Sequence, residues 1–395
     1  MTPLGVAIVG CGAIGEVHAA IASGLDSIKI VAVVDAVGAA ATRLADKLAG
    51  EGFARPQECV SLEAALAIPE VELVVLTTPS GLHIEQAGAA LDARRHVIIE
   101  KPLDVNLARA RVLSERAQQA EDDGLVVSVI SQHRFDTASR LVTEALASEA
   151  FGRISSAIAS TAWWRPQRYY DSAPWRGTWQ MDGGGALMNQ SIHNVDLLLS
   201  FLGRPTEVSG HIALLAHERI EVEDSATATI SFETGAVAAL HATTAAYPGL
   251  STRLQLMGSL GSAVIEDDQL SYYHVAAEAG IDVGPMGLRM AQGNRAAEML
   301  ATTAEPEYRL GFPLPAATDA GQYRLDPASH QRQYEDVLRA IRTGETPQVT
   351  IRDAFTALAL VQSVYISATL RRPILFDDVL AGDYDNVDIR ITGDL

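Results

Sequence analysis

Leu4-Gly5-Val6-Ala7-Ile8-Val9-Gly10-Cys11-Gly12-Ala13-Ile14-Gly15 stands almost at the start of the chain and decides how its first half folds. The apolar run Leu4–Val9 is a buried strand, and the periodic segment Ile14–Ala22 is a helix. Between them lies the spacing Gly-x-Gly-x-x-Gly. Gly10 permits the tight turn, Gly12 lets the main chain approach a pyrophosphate, and Gly15 lets the helix pack against the sheet. The N–H groups of Ala13 and Ile14 at the helix N-terminus then favour phosphate charge. Such a loop alone is common. Asp35 sharpens it, because it ends the second strand, Ile28–Asp35, and stands 20 residues after Gly15. Its carboxylate can accept hydrogen bonds from ribose hydroxyls. It also repels a 2′-phosphate, and no Arg or Lys follows until Arg43. The cofactor expected is NAD rather than NADP.

Outward from this loop, strands and helices alternate. Helices are expected at Ala39–Ala49, Leu62–Ala67, His83–Ala93 and Leu107–Glu121, and strands at Val71–Thr77, His96–Glu100 and Leu125–Ser131. That alternation predicts a doubly wound parallel sheet over 1–131, with helices on both faces. The remainder, 132–395, reads as an α+β domain built on an antiparallel or mixed sheet. Its strands are Ile154–Trp163, Glu207–Leu215, Ser225–Phe232, Val237–Thr244, Leu254–Met257 and Ser262–Glu266, with a hairpin turn at Glu233-Thr234-Gly235. Two helices, Ser329–Arg342 and Asp353–Arg371, precede a last strand, Pro373–Phe376. The stretch 281–323 is rich in Gly, Pro and Ala without a clean period. It reads as a long insertion, open to the roles of lid, assembly arm or flexible loop.

Composition narrows the partners. With 48% hydrophobic and 20% charged residues over 395, a large core can form. A formal net charge of −19 excludes a phosphate backbone as partner and disfavours anionic membranes. Two cysteines, Cys11 and Cys59, make neither a disulfide framework nor a metal motif. Leu4–Val9 is too short and lacks the basic flank of a signal peptide, and no run of about 20 apolar residues is evident. A cytoplasmic protein is expected.

Three further segments bear on chemistry: Thr77-Thr78-Pro79-Ser80-Gly81-Leu82-His83 after one buried strand, Glu100-Lys101-Pro102 after the next, and Gly183-Gly184-Gly185 opening a helix with Asn189, His193 and Asp196. With the glycine loop, these resemble the glucose–fructose oxidoreductase / inositol dehydrogenase / MocA (Gfo/Idh/MocA) family over nearly the whole chain. The resemblance implies an N-terminal Rossmann domain, a C-terminal domain with a large open sheet, and an active site between them. It implies hydride transfer on secondary alcohols of sugars and cyclitols, and a homodimer or homotetramer. Thr78, Pro79, Ser80, His83, Glu100 and Lys101 would border the cofactor. Lys101 matches the lysine of the family's Glu-Lys-Pro motif, and His193 its catalytic histidine. The family often has Asp four residues before that histidine. Here Asn189 stands there, able to orient a hydroxyl but not to carry a proton. Some sugar-nucleotide dehydrogenases of the family show a similar Met-Asn-Gln run.

The chemistry suits these residue types. A histidine serves as base in oxidation and acid in reduction. An ammonium stabilises a developing alkoxide. A metal site from His193 and Asp196 lacks another histidine at ligand spacing, and none is expected. All four tryptophans fall within Trp163–Trp179, among Arg165, Arg168, Tyr169, Tyr170 and Arg176. Aromatic faces suit sugar C–H surfaces, so Arg165, Tyr170, Trp175 and Arg176 join Lys101, Asn189 and His193 as candidate substrate residues. The arginines hint at an acidic or phosphorylated sugar, although pairing with Asp171 or Asp182 would explain them too. Two alternatives stay open: a glycosidase using NAD transiently, and a non-catalytic dinucleotide sensor.

Overall fold

A computed structural model describes residues 2–276, 287, 293–303, 308–313 and 327–391. The chain divides into two compact units, Met1–Gln132 with Pro306–Phe355, and His133–Glu305 with Thr356–Leu395.

The first unit is a Rossmann fold. Six strands, β1 (Leu4–Val9), β2 (Ile28–Val34), β3 (Gln57–Cys59), β4 (Leu73–Leu76), β5 (His96–Ile99) and β6 (Val127–Val129), lie in the order β3-β2-β1-β4-β5-β6. All neighbours are parallel. Central strands covered on both faces need unbroken apolar runs, and Leu73–Leu76 is buried throughout. Strand β3 is not foreseen from sequence. It buries only Cys59, and a short edge strand has little hydrophobic pattern to read. The strand order reverses between β1 and β4, which makes their C-terminal ends the switch point where ligands of such sheets bind.

The sequence pattern groups all of 132–395 in one domain, but 306–355 belongs with the first unit. The helix Pro327–Thr343 turns Tyr334, Val337, Leu338 and Ala340 into a core that also holds Ile21, Leu44 and Phe312. Periodicity shows that such a helix buries a face; it cannot say against what. Within 281–323, only 287, 293–303 and 308–313 are described. The last of these is no free loop: Gly311 N–H donates to Ala20 O at 2.8 Å, and Phe312 is 2% exposed beneath the Lys47 ammonium.

The second unit is built on eight strands. They are β7 (Ile154–Ala162), β8 (Pro205–Ala213), β9 (Ser225–Phe232), β10 (Val237–Thr243), β11 (Thr252–Gly258), β12 (Gly261–Glu266), β13 (Gln269–Val275) and β14 (Ile374–Leu375), in the order β13-β12-β11-β7-β10-β9-β8-β14. Only β7 and β10 run parallel; the other pairs are antiparallel. Alternating burial along β9 gives the sheet one covered face and one open one. The helix Ile351–Leu370 lies against β8, close enough that a β-carbon on Gly210 would sit 2.7 Å from Val364 Cγ1. Contrary to the expectation of no such segment, this helix is long and apolar enough to cross a membrane, yet 72% of its apolar window is buried in the fold. It is a core helix.

Replacing Phe312 by Ala should remove about 3–5 kcal/mol of stability, read as a lowered thermal midpoint. An unchanged midpoint would return 308–313 to the status of a loose insertion.

Candidate active site

In the first unit the glycine loop follows β1 directly. Gly10 has φ +98°, a conformation open mainly to glycine. A β-carbon on Gly15 would lie 1.9 Å from Gly10 O, so helix and strand touch there. A β-carbon on Gly12 would meet nothing within 4 Å. Gly12 also opens the helix Ala13–Ser23 with no side chain capping it. Open space before uncapped helix N–H groups is what a pyrophosphate requires. Asp35 borders this space. It accepts hydrogen bonds from Cys11 N–H at 2.9 Å and Val37 N–H at 2.8 Å, which fix the carboxylate at the end of β2.

Across the switch point, Thr77 Oγ1 lies against Gly10 O at 2.8 Å, and Thr78 Oγ1 donates to Gln86 at 2.5 Å. Pro79 leads into the short turn Ser80–Leu82. His83, expected to border the cofactor, is buried, with Nδ1 2.9 Å from Pro102 O and Nε2 2.9 Å from Thr78 O. It braces two loops. Burial pushes its pKa down, against the pull of those carbonyls. Lys101 follows β5, which pairs with β4, so Thr78 and Lys101 share one end of the sheet. Glu100 is also buried: Oε1 is 2.8 Å from His18 Nε2, and Oε2 accepts Lys101 N–H at 3.0 Å. Burial acts to raise Glu100, but His18, Lys101 and His330 outweigh it and hold the carboxyl at about 2. Glu100 therefore supports the lysine's main chain.

In the second unit the three glycines lead into a π-turn, Ala186–Gln190, and the α-helix Ile192–Leu202 starts only after Ser191. Asn189 and His193 thus do not share a face of one continuous helix, as the spacing had implied. Glu223, a residue the sequence reading missed, holds the start of the turn. Its buried carboxylate accepts Gly185 N–H at 2.9 Å, Leu187 N–H at 2.8 Å and Tyr365 O–H at 2.9 Å. Asn189 Nδ2 donates to Asp182 Oδ1 at 2.6 Å and to Gly184 O at 3.1 Å, so its amide nitrogen holds the glycine loop. Asp196 pairs bidentately with Arg134 at 2.6 and 2.7 Å, a bracing role. His193 is partly exposed, and its ring meets that of His133 edge-on at 4.8 Å. His133 is gripped by Asp136 at 2.7 Å and Asp268 at 3.2 Å. Burial opposes its charge, yet those carboxylates push it up to about 9. His133/Asp136/Asp268 and, in the first unit, His18/Glu100/His330 each bring potential metal-ligand atoms within 4.8 Å. In both, the short contacts are histidine–carboxylate hydrogen bonds.

The aromatic segment separates into core and surface. Tyr170, expected in the pocket, is a core residue: its hydroxyl meets Thr244 Oγ1 at 2.8 Å and its ring packs on His217. The pattern could not show which of two adjacent tyrosines turns inward. Tyr169 lies at the centre of a cluster of guanidinium groups. The Arg176 guanidinium lies 4.5 Å from its ring and the Arg165 guanidinium 5.4 Å, and Arg176 donates to its hydroxyl at 2.8 Å. Gln190, beside Asn189, links Arg165 at 2.9 Å to that hydroxyl at 3.1 Å. Trp163 and Trp175 flank the two guanidinium groups. Asp171 pairs with Arg219 instead, and among the described residues no carboxylate forms an ion pair with Arg176.

Comparison with known proteins accords with this geometry. Residues 4–129 match the oxidoreductase family's NAD-binding Rossmann fold, and residues 139–264 match the Gfo/Idh/MocA C-terminal domain. The chain belongs to the Gfo/Idh/MocA family of oxidoreductases. Among its curated relatives is the myo-inositol 2-dehydrogenase of Thermotoga maritima, 22% identical, with 95% of this chain and 99% of that one aligned. Another is the scyllo-inositol 2-dehydrogenase (NADP(+)) IolW of Bacillus subtilis, 23% identical over 80% of this chain and 82% of that one. The chain spans only 59% of a further relative, an oxidoreductase of Synechocystis, at 28% identity. Among solved structures, the WlbA dehydrogenase of Bordetella pertussis, in complex with NADH and UDP-GlcNAcA, is 28% identical with a TM-score of 0.75, covering 95% of this chain and 98% of that one.

Two outcomes test the site. Gly12→Ala should leave the thermal midpoint unchanged and weaken NADH binding, whereas Gly15→Ala, with its β-carbon against Gly10 O, should lower the midpoint itself. Glu223 gives the second. Burial raises its carboxyl from 4.5 to about 7, against the three hydrogen bonds that lower it. Between those values the folded chain keeps a proton that the unfolded chain releases, so stability falls as pH rises through that window and levels off above it. Glu223→Gln should remove this slope in unfolding measured against pH.

Proposed function

We propose that the chain is an NAD(H)-dependent dehydrogenase or reductase that interconverts a secondary alcohol and a ketone on a sugar or cyclitol derivative bearing an acidic group. The observation that carries the cofactor assignment is the open space at Gly12 beside the fixed carboxylate of Asp35. Gly10, Gly12, Ala13, Ile14, Gly15, Asp35 and Thr78 would hold the dinucleotide, and its nicotinamide supplies the hydride chemistry when bound. Asp35 accepts ribose hydroxyls and disfavours a 2′-phosphate, which supports NAD over NADP.

The Lys101 ammonium stabilises the charge that develops on the carbinol oxygen. His193 takes the carbinol proton in oxidation and returns it in reduction. Asn189, whose nitrogen holds the glycine loop, would orient a substrate hydroxyl. Arg176 and Arg165, spread by Tyr169 and the tryptophans, suit a carboxylate or phosphate, because planar guanidinium forks match both. The UDP-GlcNAcA in the WlbA complex, an acidic sugar nucleotide, supports that reading. The open face of the second sheet, where Ile158 and Val237 are exposed, supports self-association into a dimer or tetramer. A cytoplasmic setting fits the two unpaired cysteines.

The test is a panel of sugars, cyclitols, sugar acids and nucleotide-linked sugar acids, followed by NADH absorbance with NAD and NADP in parallel. Reduction of NAD with an acidic sugar is expected, and Lys101→Ala and His193→Ala should each lower kcat roughly 10²–10⁴-fold. Arg176→Ala should raise KM for the acidic substrate more than it lowers kcat. Nitrophenol release from nitrophenyl glycosides without net NADH would overturn the dehydrogenase reading in favour of a glycosidase.

A further inference from the structure

We propose that His18 is a positioning residue for the reaction: through Glu100 it pins the main chain at Lys101 to the helix that receives the dinucleotide, with Tyr334 anchoring its other side. This rests on the reading of Lys101 as the group that stabilises the alkoxide. The observation is a continuous buried chain within the first unit. His18 is 0% exposed on the helix Ala13–Ser23. Its Nε2 lies 2.8 Å from Glu100 Oε1 and its Nδ1 lies 2.8 Å from the Tyr334 hydroxyl. The other oxygen of Glu100 accepts Lys101 N–H at 3.0 Å.

The contact with Glu100 has one consistent assignment. An ionised carboxylate only accepts, so Nε2 carries a proton and donates to Glu100. That leaves Nδ1 to Tyr334, whose hydroxyl can donate or accept as the ring requires. Glu100 is held on both oxygens, which fixes its side chain and the peptide plane joining it to Lys101. Without His18, a carboxylate would remain in the interior with one oxygen unanswered, and the segment Glu100–Pro102 would relax to reach water. The helix matters as much as the ring. Its N-terminus borders the open space at Gly12, and His18 lies about 7 Å further along the axis, five residues after Ala13. The pin therefore ties the ammonium-bearing segment to the same rigid element that sets the cofactor's phosphates. A misplacement of about 1 Å between reacting groups can cost on the order of 10²-fold in rate.

The experiment uses the full chain, NADH as binding probe, and the alcohol giving the highest rate in the panel above. His18→Ala should lower kcat about 10²-fold, with KM for the alcohol and the NADH dissociation constant changed by less than about 3-fold. The primary deuterium isotope effect from the carbinol C–H should rise as hydride transfer becomes limiting. His18→Gln, which keeps an N–H donor for Glu100, should recover a large share of kcat. Tyr334→Phe should give a smaller kcat loss with the same isotope signature, and it carries the test should His18→Ala fail to fold. Wild-type kcat and isotope effect in His18→Gln and Tyr334→Phe, with only the thermal midpoint lowered, would overturn the proposal while Lys101→Ala stays inactive. A fully active Lys101→Ala would overturn the lysine's role and this proposal together.

Discussion

Gly15 and Gly10 are in van der Waals contact with no room for a methyl group between them, and the arrangement of the first unit follows from that contact. It sets the angle at which the first helix leaves the first strand, and so where its N-terminal N–H groups point. The same helix then carries His18 inward to Glu100. A close approach of two backbone segments therefore determines both the open space at Gly12 and the support beneath Lys101. The constraint is steric, and no side-chain interaction elsewhere could substitute for it.

Both units hold their chemical segments with buried carboxylates. Glu100 receives the Lys101 N–H; Glu223 receives the N–H groups of Gly185 and Leu187; Asp182 receives that of Gly177. Turns and π-turns leave main-chain donors without partners in the element itself, and a carboxylate satisfies them with strong charge-assisted bonds. Burying such charges does not add much net stability. It narrows the conformations available to a loop, which is what a site needs when a shift of an ångström matters. Asp196 and Arg134 act likewise on the helix that bears His193.

The surface cluster around Tyr169 works differently. Two guanidinium groups lie beside one aromatic ring and are joined through Gln190, next in sequence to Asn189. The aromatic faces keep the cations in fixed orientations. Asn189, which holds the glycine loop, and Gln190, which links the guanidinium cluster, are thus neighbours on one turn. Fold membership says nothing about such a cluster, since one fold hosts many substrates through local changes of this kind.

The alternation of apolar runs and helical periods, the glycine spacing and Asp35 determined the parallel sheet, its direction and the place of the dinucleotide loop, because each rests on neighbours close in sequence. The glycine run and the Trp-Arg-Tyr segment likewise marked the segments that the second unit's candidate residues occupy. What only the tertiary structure decided involves partners far apart in the chain. His18 meets Tyr334 across 316 residues, and Tyr365 meets Glu223 across 142. No local pattern encodes such pairs. The same limit explains why Tyr170 rather than Tyr169 turned inward, why Glu100 and His83 became braces, and why the helix Pro327–Thr343 joined the first core. A hydrophobic period reports that a face is buried, while the identity of what covers it is a property of the folded chain.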